Sequence, residues 1–305
     1  MKKDTKFKQV KIKNEKSLLF YLSKIFVISL CIAACALFII NVEATGAKEK
    51  SRSQNDFSQV GVYFSGDQIL KGQTPLINSV TYVPLRAFSE QMGADSIEWN
   101  AKSKTATVKK DGVLIKVTDG ASFIDASGRI LFCPEGIKNI NDRLFVPIRA
   151  ISTAFSLDVE WNGATRSVLI SESQAKFVSG NKFYDSDDLY WLSRIINAEA
   201  EGEPFLGKIA VGNVVINRTK SASYPNSIYG VIFDRKYGTQ FSPVAIGTIY
   251  KNPSAESVLA AKICLEGYTL SDEILFFVNP RYATSTWIER TRPYAFTIGG
   301  HKFYK

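Results

Sequence analysis

The stretch SDDLYWLSRIINAEAEGEPFLG, Ser186 to Gly207, decides how the last part of this chain folds. Read as a helix, it puts Leu189, Leu192 and Ile196 at the three- and four-residue spacing of one buried stripe, and the next position on that stripe is Glu199. A glutamate therefore follows three apolar residues inward. Desolvation disfavours the charged form, so this carboxyl is expected to keep its proton to higher pH than a free one, as a general acid must. Glu201 falls about 200° around the helix and is expected in solvent. Glu203 lies one turn on, just before Pro204 limits further regular helix. The competing reading makes Glu199 an end-of-helix carboxylate that meets an arginine such as Arg218, and periodicity alone does not separate the two.

The rest of the segment 185–305 follows by pattern. Ser186 or Asp187 is placed to cap the first turn. A second helix over about 205–220 is apolar nearly all round, as a central buried helix would be. A third, Ser254 to Glu266, ends at Gly267. Short strands are expected at Leu275 to Val278, Tyr294 to Ile298 and His301 to Tyr304, the last two joined by a Gly299-Gly300 turn. The fold class is α+β, with helices first and strands last.

Inventory removes several chemistries. His301 is the only histidine, whereas zinc peptidases and amidases need several, and serine or cysteine hydrolases need one as a base. His301 is expected as a strand-surface or hairpin residue. Cys31 and Cys35 lie in an apolar N-terminal run; Cys133 and Cys264 fall in different predicted domains and read as small buried side chains. No metal or cofactor site is expected.

Five segments carry a resemblance: NAEAEGEPFLGKIAVGNVVINR (Asn197 to Arg218), YPNSIYGVIF (Tyr224 to Phe233), GTQFSP (Gly238 to Pro243), FFVNP (Phe276 to Pro280) and IGGHKFY (Ile298 to Tyr304). In this order they resemble the SleB/CwlJ-type cell wall hydrolases, the spore cortex-lytic family. The resemblance implies a lysozyme-like, transglycosylase-like fold and cleavage of peptidoglycan between N-acetylmuramic acid and N-acetylglucosamine. It also implies that the first glutamate of the AEAxGEP motif, here Glu199, is the catalytic acid/base. Ordinary glycosidases need two carboxyls across the scissile bond, but a lytic transglycosylase needs one, because the muramic 6-hydroxyl is the attacking group. One stripe-buried glutamate fits that scheme, and Glu203 is the candidate if a second carboxyl takes part. Sugar binding wants flat apolar faces and amides around the acid, which singles out Tyr237, Gln240, Phe241 and Ser242 in one predicted loop and Asn279, Tyr282 and Trp287 in another.

Residues 1–44 join a lysine-rich head to an apolar run from Ile25 to Ile40, the pattern of a signal peptide or a membrane anchor. Cleavage after Ala44 is the first reading, an uncleaved anchor the second, and lipid attachment at Cys35 the third. Eight lysines against Asp4, Glu15 and Glu43 give this segment +5 of the formal +9, leaving +4 for the remainder. The high pI is thus largely a targeting effect and gives no argument for nucleic acid. An exported protein of the cell wall or spore envelope is expected, touching the membrane only through its N-terminal segment.

Residues 45–56 read as a polar tether. In 57–173, TYVPLRAFSEQMGADSIEWNAKSKTATV (Thr81 to Val108) realigns with LFVPIRAISTAFSLDVEWNGATRSVLI (Leu144 to Ile170), so Val-Pro-x-Arg-Ala and Glu-Trp-Asn each occur twice. Each copy predicts a strand, a helix opened by Pro84 or Pro147, and two strands joined by a turn after Asn100 or Asn162. This β-rich module resembles the stalk domain named after the N-terminal domain of copper amine oxidases. Trp99 and Trp161 carry two readings, sugar stacking or core packing, and their recurrence favours packing. Residues 174–184 read as a polar linker to the 185–305 domain. The leading function is an exported lytic transglycosylase of spore cortex or cell wall glycan in germination or sporulation. The alternatives are a hydrolytic muramidase, an amidase, or a wall-binding structural protein with an inactive glutamate; a regulatory partner is not identified by any motif.

Overall fold

The computed structural model describes residues 57–236, 238–283 and 285–305. The leader over 1–44, the tether over 45–56 and the candidate Tyr237 lie outside the described residues. Residues 58–305 form one compact unit, and its architecture is α+β.

The duplicated sequence folds twice in the same way. Strand Val80–Pro84 runs into helix Leu85–Gln91, and strand Arg143–Pro147 into helix Ile148–Ala154. Pro84 and Pro147 are the extended residues immediately before each first turn, one position earlier than a first helical residue. A hairpin follows each helix: Ser96–Asn100 with Thr105–Lys110, and Leu157–Asn162 with Ser167–Glu172. The recurrent asparagines build the turns. Asn100 Oδ1 accepts from the backbone N–H of Lys102 and Ser103 at 3.0 and 3.1 Å, and Asn162 Oδ1 from those of Ala164 and Thr165 at the same distances.

The two copies meet along an antiparallel ladder in which Val83 lies opposite Val146, so equivalent strands pair across an approximate two-fold. The first described strand, Gly61–Phe64, lies parallel to Ser167–Ile170 and closes the module onto its last strand. Val83, Phe88, Val146 and Ile151 are fully buried in the shared core.

Trp99 and Trp161 do not join that core. They are 49% and 43% exposed, which overturns the packing reading. The reason is topological: Ser96–Asn100 and Leu157–Asn162 are each the outer strand of their sheet, with a neighbour on one side only.

In the remaining residues, helices Ser186–Ala200, Phe205–Lys220 and Ala255–Leu265 pack together. They stand beside a three-stranded sheet ordered Phe276–Val278, His301–Tyr304, Tyr294–Ile298. Asp185, rather than Ser186 or Asp187, caps the first helix, accepting from the N–H groups of Asp187 and Asp188 at 2.9 and 3.0 Å. The central helix is buried over Gly207–Val215 and again at Asn217 and Arg218. Its polar residues are pinned: Asn213 donates to Tyr268 O and accepts from Leu270 N–H, both at 2.9 Å, and Asn217 donates to Ser271 O and Ile274 O at 2.9 and 3.0 Å.

The segment 174–184 is not an open linker. It contains a helical turn, Gly180–Phe183, and Tyr184 is buried. Gly180 lies against Gly128 so closely that a Cβ would overlap the Gly128 carbonyl group and come within 2.8 Å of Arg129 N. Arg129 then forms a two-pronged pair with Glu266, Nε to Oε1 at 3.0 Å and Nη2 to Oε2 at 2.6 Å, and the Tyr184 hydroxyl donates to Glu266 Oε1 at 2.7 Å. Phe132 stacks edge-on against Tyr268 with 4.6 Å between ring centroids. The stalk-like module is thereby packed against the helical part through a seam that carries a largely buried ion pair. Removing one partner of a buried pair leaves the other charge unpaired, a cost of about 3–5 kcal/mol. Glu266→Ala is expected to lose stability of that order and to split one cooperative denaturation curve into two; an unchanged single transition would contradict the seam.

Candidate active site

The periodicity that ends in Glu199 is realised. Leu192 and Ile196 are fully buried, Leu189 packs against the same core, and Glu199 occupies the last turn of the Ser186–Ala200 helix. Its carboxyl is half-buried, and burial pushes its pKa up to about 7, against the opposing pull of the Arg218 charge. Glu201, two residues on, is exposed as expected. The same helix is fixed by Asn197, whose Oδ1 accepts from Ser254 N–H at 2.8 Å and Ser257 Oγ–H at 3.0 Å.

Arg218 is buried next to this site but does not pair with Glu199. Its Nε donates to Leu275 O at 2.8 Å, and its guanidinium lies over the rings of Tyr224, Phe241 and Phe276 at 4.9, 5.2 and 5.6 Å. Nη1 meets no hydrogen-bond partner among the described residues. Burial lowers the guanidinium's pKa, while Tyr224, Asp234 and Glu199 oppose the shift. The end-of-helix reading, in which Glu199 closes an ion pair with Arg218, is therefore not what the structure contains. Arg218 acts on Glu199 through space.

Glu203 is in a different situation. Gly300 N–H donates to its Oε2 at 2.8 Å, and His301 Nδ1 lies 3.7 Å from its Oε1. Gly299 has φ +57 and sits so close that a Cβ there would overlap the Glu203 carboxylate and approach Pro204 Cδ to 2.6 Å. The Gly-Gly turn is thus a cradle for this carboxylate. Lys208 Nζ also donates to Glu203 O at 2.7 Å. His301, expected at a strand surface, is buried instead, against Phe277 at 5.2 Å. Burial lowers its pKa and Glu203 raises it.

The other candidates separate. Phe241 is 3% exposed, too deep to offer a face to a sugar; it is a wall beneath Arg218. It looked like a loop aromatic because Gly238 and Pro243 flank it, a cue that says nothing about depth. Gln240 is half-buried and Ser242 is exposed at the start of the short helix Ser242–Ile246. Asn279 lies beside the cradle, its Nδ2 within 2.7 Å of where a Gly300 Cβ would stand. Tyr282 and Trp287 are open to solvent at 72% and 51%. Arg218 and Asn197 are what the residue reading undervalued; both are polar side chains on otherwise apolar helical faces.

Residues 202–304 match the cell wall hydrolase family, and residues 64–170 match the copper amine oxidase N-terminal domain. Residues 202–304 thus carry a cell wall hydrolase domain. Its similar relatives include spore cortex-lytic enzymes of Bacillus cereus, 38% identical over 122 residues, and of Bacillus subtilis, 38% over 120 residues. These alignments take in 40% and 39% of this chain, and 46% and 38% of the relatives, so the chain spans less than half the length of the curated relatives it matches. It is also similar to the solved catalytic domain of the germination-specific lytic transglycosylase SleB from Bacillus anthracis. The identity is 38%, covering 97% of that chain and 40% of this one, with a TM-score of 0.37. The family match starts at Gly202, just after Glu199.

The raised pKa has a thermodynamic sign. With an unfolded carboxyl near the ordinary value of 4.5 and a folded one at about 7, the native cell wall hydrolase domain binds the extra proton between those values. Its stability therefore falls as pH rises through that window, and the burden is complete above pH 7. Glu199→Gln removes it. The variant is expected to be more stable than the parent by about 1–3 kcal/mol at pH 8, with the difference vanishing near pH 4. Denaturant titrations at both pH values check this, and an equal offset at both would contradict the buried carboxyl.

Proposed function

We propose that residues 185–305 are a peptidoglycan lytic transglycosylase that cleaves the N-acetylmuramic acid to N-acetylglucosamine bond, with Glu199 as its single acid/base. The observation that carries this reading is the asymmetry between the two nearby glutamates. Glu199 is half-buried, has a raised pKa and no ion-pair partner among the described residues. Glu203 is committed to Gly300 and the His301 side. Of these two carboxyls, Glu199 is therefore the one free to exchange a proton with a substrate. The 38% identity to spore cortex-lytic enzymes supports a cortex-lytic role for this domain.

The steps balance with one carboxyl. Protonated Glu199 donates to the glycosidic oxygen as the bond from muramic C1 to that oxygen breaks, releasing the sugar on the other side as an alcohol. The 6-hydroxyl of the same muramic residue attacks C1, and Glu199 takes up its proton. The product is a 1,6-anhydromuramic end, no water is consumed, and the carboxyl is restored to its starting form. A hydrolytic muramidase would need a second carboxyl for water, and Glu203 is engaged elsewhere. Asn279 and the exposed Tyr282 and Trp287 remain the groove candidates in that loop with surface to offer.

The leader over 1–44 and the spore cortex-lytic relatives support an exported protein acting on cortex or cell wall glycan during germination or sporulation. We assign 57–173 to the stalk-like module and 185–305 to the catalytic domain.

The test is mass spectrometry of soluble products from purified cortex and vegetative peptidoglycan. The chain from residue 45 is expected to release anhydromuramic ends, and Glu199→Gln to release them at least about a thousandfold more slowly. Because the first step needs the protonated acid, kcat/KM is expected to fall above about pH 7. Reducing muramic ends would overturn the lytic assignment, and undiminished activity of Glu199→Gln would overturn the role of Glu199.

A further inference from the structure

Trp99 and Trp161 have no part in the chemistry above, yet the same local fold holds both indoles in the open. A scattered exposed apolar side chain needs no explanation, but a large one displayed twice at equivalent repeat positions does. Each borders a cleft. One, of about 480 Å³, joins Trp99 to Ile97 and Arg86; the other, of about 510 Å³, joins Trp161 to Val159 and Arg149. These are the same three positions of the repeat: the arginine of Val-Pro-x-Arg-Ala, the apolar residue two before the tryptophan, and the tryptophan itself. Duplication has produced two quasi-equivalent clefts, held in fixed relation by the Val83 to Val146 ladder.

We propose that these twin clefts bind saccharide units of a glycan strand, so that the stalk-like module grips the polymer that the neighbouring domain cuts. A pyranose ring has a C–H face that stacks on an indole and a rim of hydroxyls that both donate and accept. The cleft walls offer both: Arg86 and Arg143 line one together with Glu90, Glu98 and Asp142, while Arg149 and Arg166 line the other together with Glu135. Mixed signs at the rim suit a neutral hydroxylated ligand better than a polyanion. Both volumes lie in the range of sites that enclose a small ligand, about 300–1,000 Å³. A pair of like sites on one rigid body is also the arrangement in which weak single contacts to a repeating polymer add up, because the second contact is made at high effective concentration. The choice of a glycan over a protein partner rests on the reading of the 185–305 domain as a peptidoglycan-cleaving enzyme.

The test is co-sedimentation of the chain from residue 45, carrying Glu199→Gln so that the polymer is not consumed, with purified protein-free peptidoglycan. Trp99→Ala and Trp161→Ala are each expected to weaken association about tenfold, the double variant more than either, and tyrosine at either position to restore most of it. If the alanine variants melt early, Arg86→Ser with Arg149→Ser, both exposed side chains, is expected to weaken binding in the same direction. Binding by the double alanine variant equal to its parent would overturn the proposal. So would a parent that fails to sediment, or one that needs wall protein in order to do so. Failure of the catalytic reading is seen separately, as no product release from the chain with Glu199 intact, and leaves the sedimentation result as it stands.

Discussion

A helix that is apolar nearly all round has to be enclosed, and the helix Phe205–Lys220 imposes that constraint on everything near it. Ser186–Ala200 and Ala255–Leu265 cover it on two sides, and its own polar residues close the rest. Asn213 and Asn217 satisfy carbonyls of the chain between Tyr268 and Ile274, and Arg218 satisfies Leu275, which delivers the strand Phe276–Val278 to its place. Buried amides paired in this way specify one arrangement of that segment, because leaving their donors unpaired would cost as much as they contribute. The three-stranded sheet and the Gly299-Gly300 turn follow from it.

From that enclosure comes the difference between two glutamates in one motif. Glu199 ends a stripe whose earlier members are sealed against the central helix, so its carboxyl is drawn toward low dielectric with no hydrogen-bond donor among the described residues to compensate. Glu203 sits past the helix end and is met by the backbone of a turn that tolerates no Cβ, so it ties the first helices to the last hairpin. A short run of sequence thus holds a carboxyl kept reactive by what it lacks and another kept structural by what it accepts. Arg218 sits between these roles. It tempers the burial of Glu199 without neutralising it, because its hydrogen bond and its ring contacts hold it elsewhere.

What could be read from the sequence was what repeats at short range. The stripe from Leu189 to Glu199, the buried helix, the stop at Gly267 and the two Asn turns are all local patterns whose period or turn chemistry has one structural answer. What could not be read depends on residues far apart. Arg129 and Glu266 are separated by 137 positions, and nothing near either announces the other. Phe241 looked like a loop aromatic because its neighbours are turn formers, but depth is set by Arg218 and the sheet above it. The tryptophans looked like core because they recur; whether a strand lies inside or at the edge of a sheet is decided by pairing partners elsewhere in the chain.

The central claim is that Glu199 is a half-buried carboxyl that keeps its proton near neutral pH. It is tested most directly by carbon NMR of the side-chain carboxyls of the glutamate-labelled chain through a pH titration, with Glu199→Gln identifying the resonance. The account predicts a carboxyl that titrates at about 7 and is missing from the variant spectrum. A Glu199 resonance that titrates at the ordinary glutamate value of about 4.3 would contradict it.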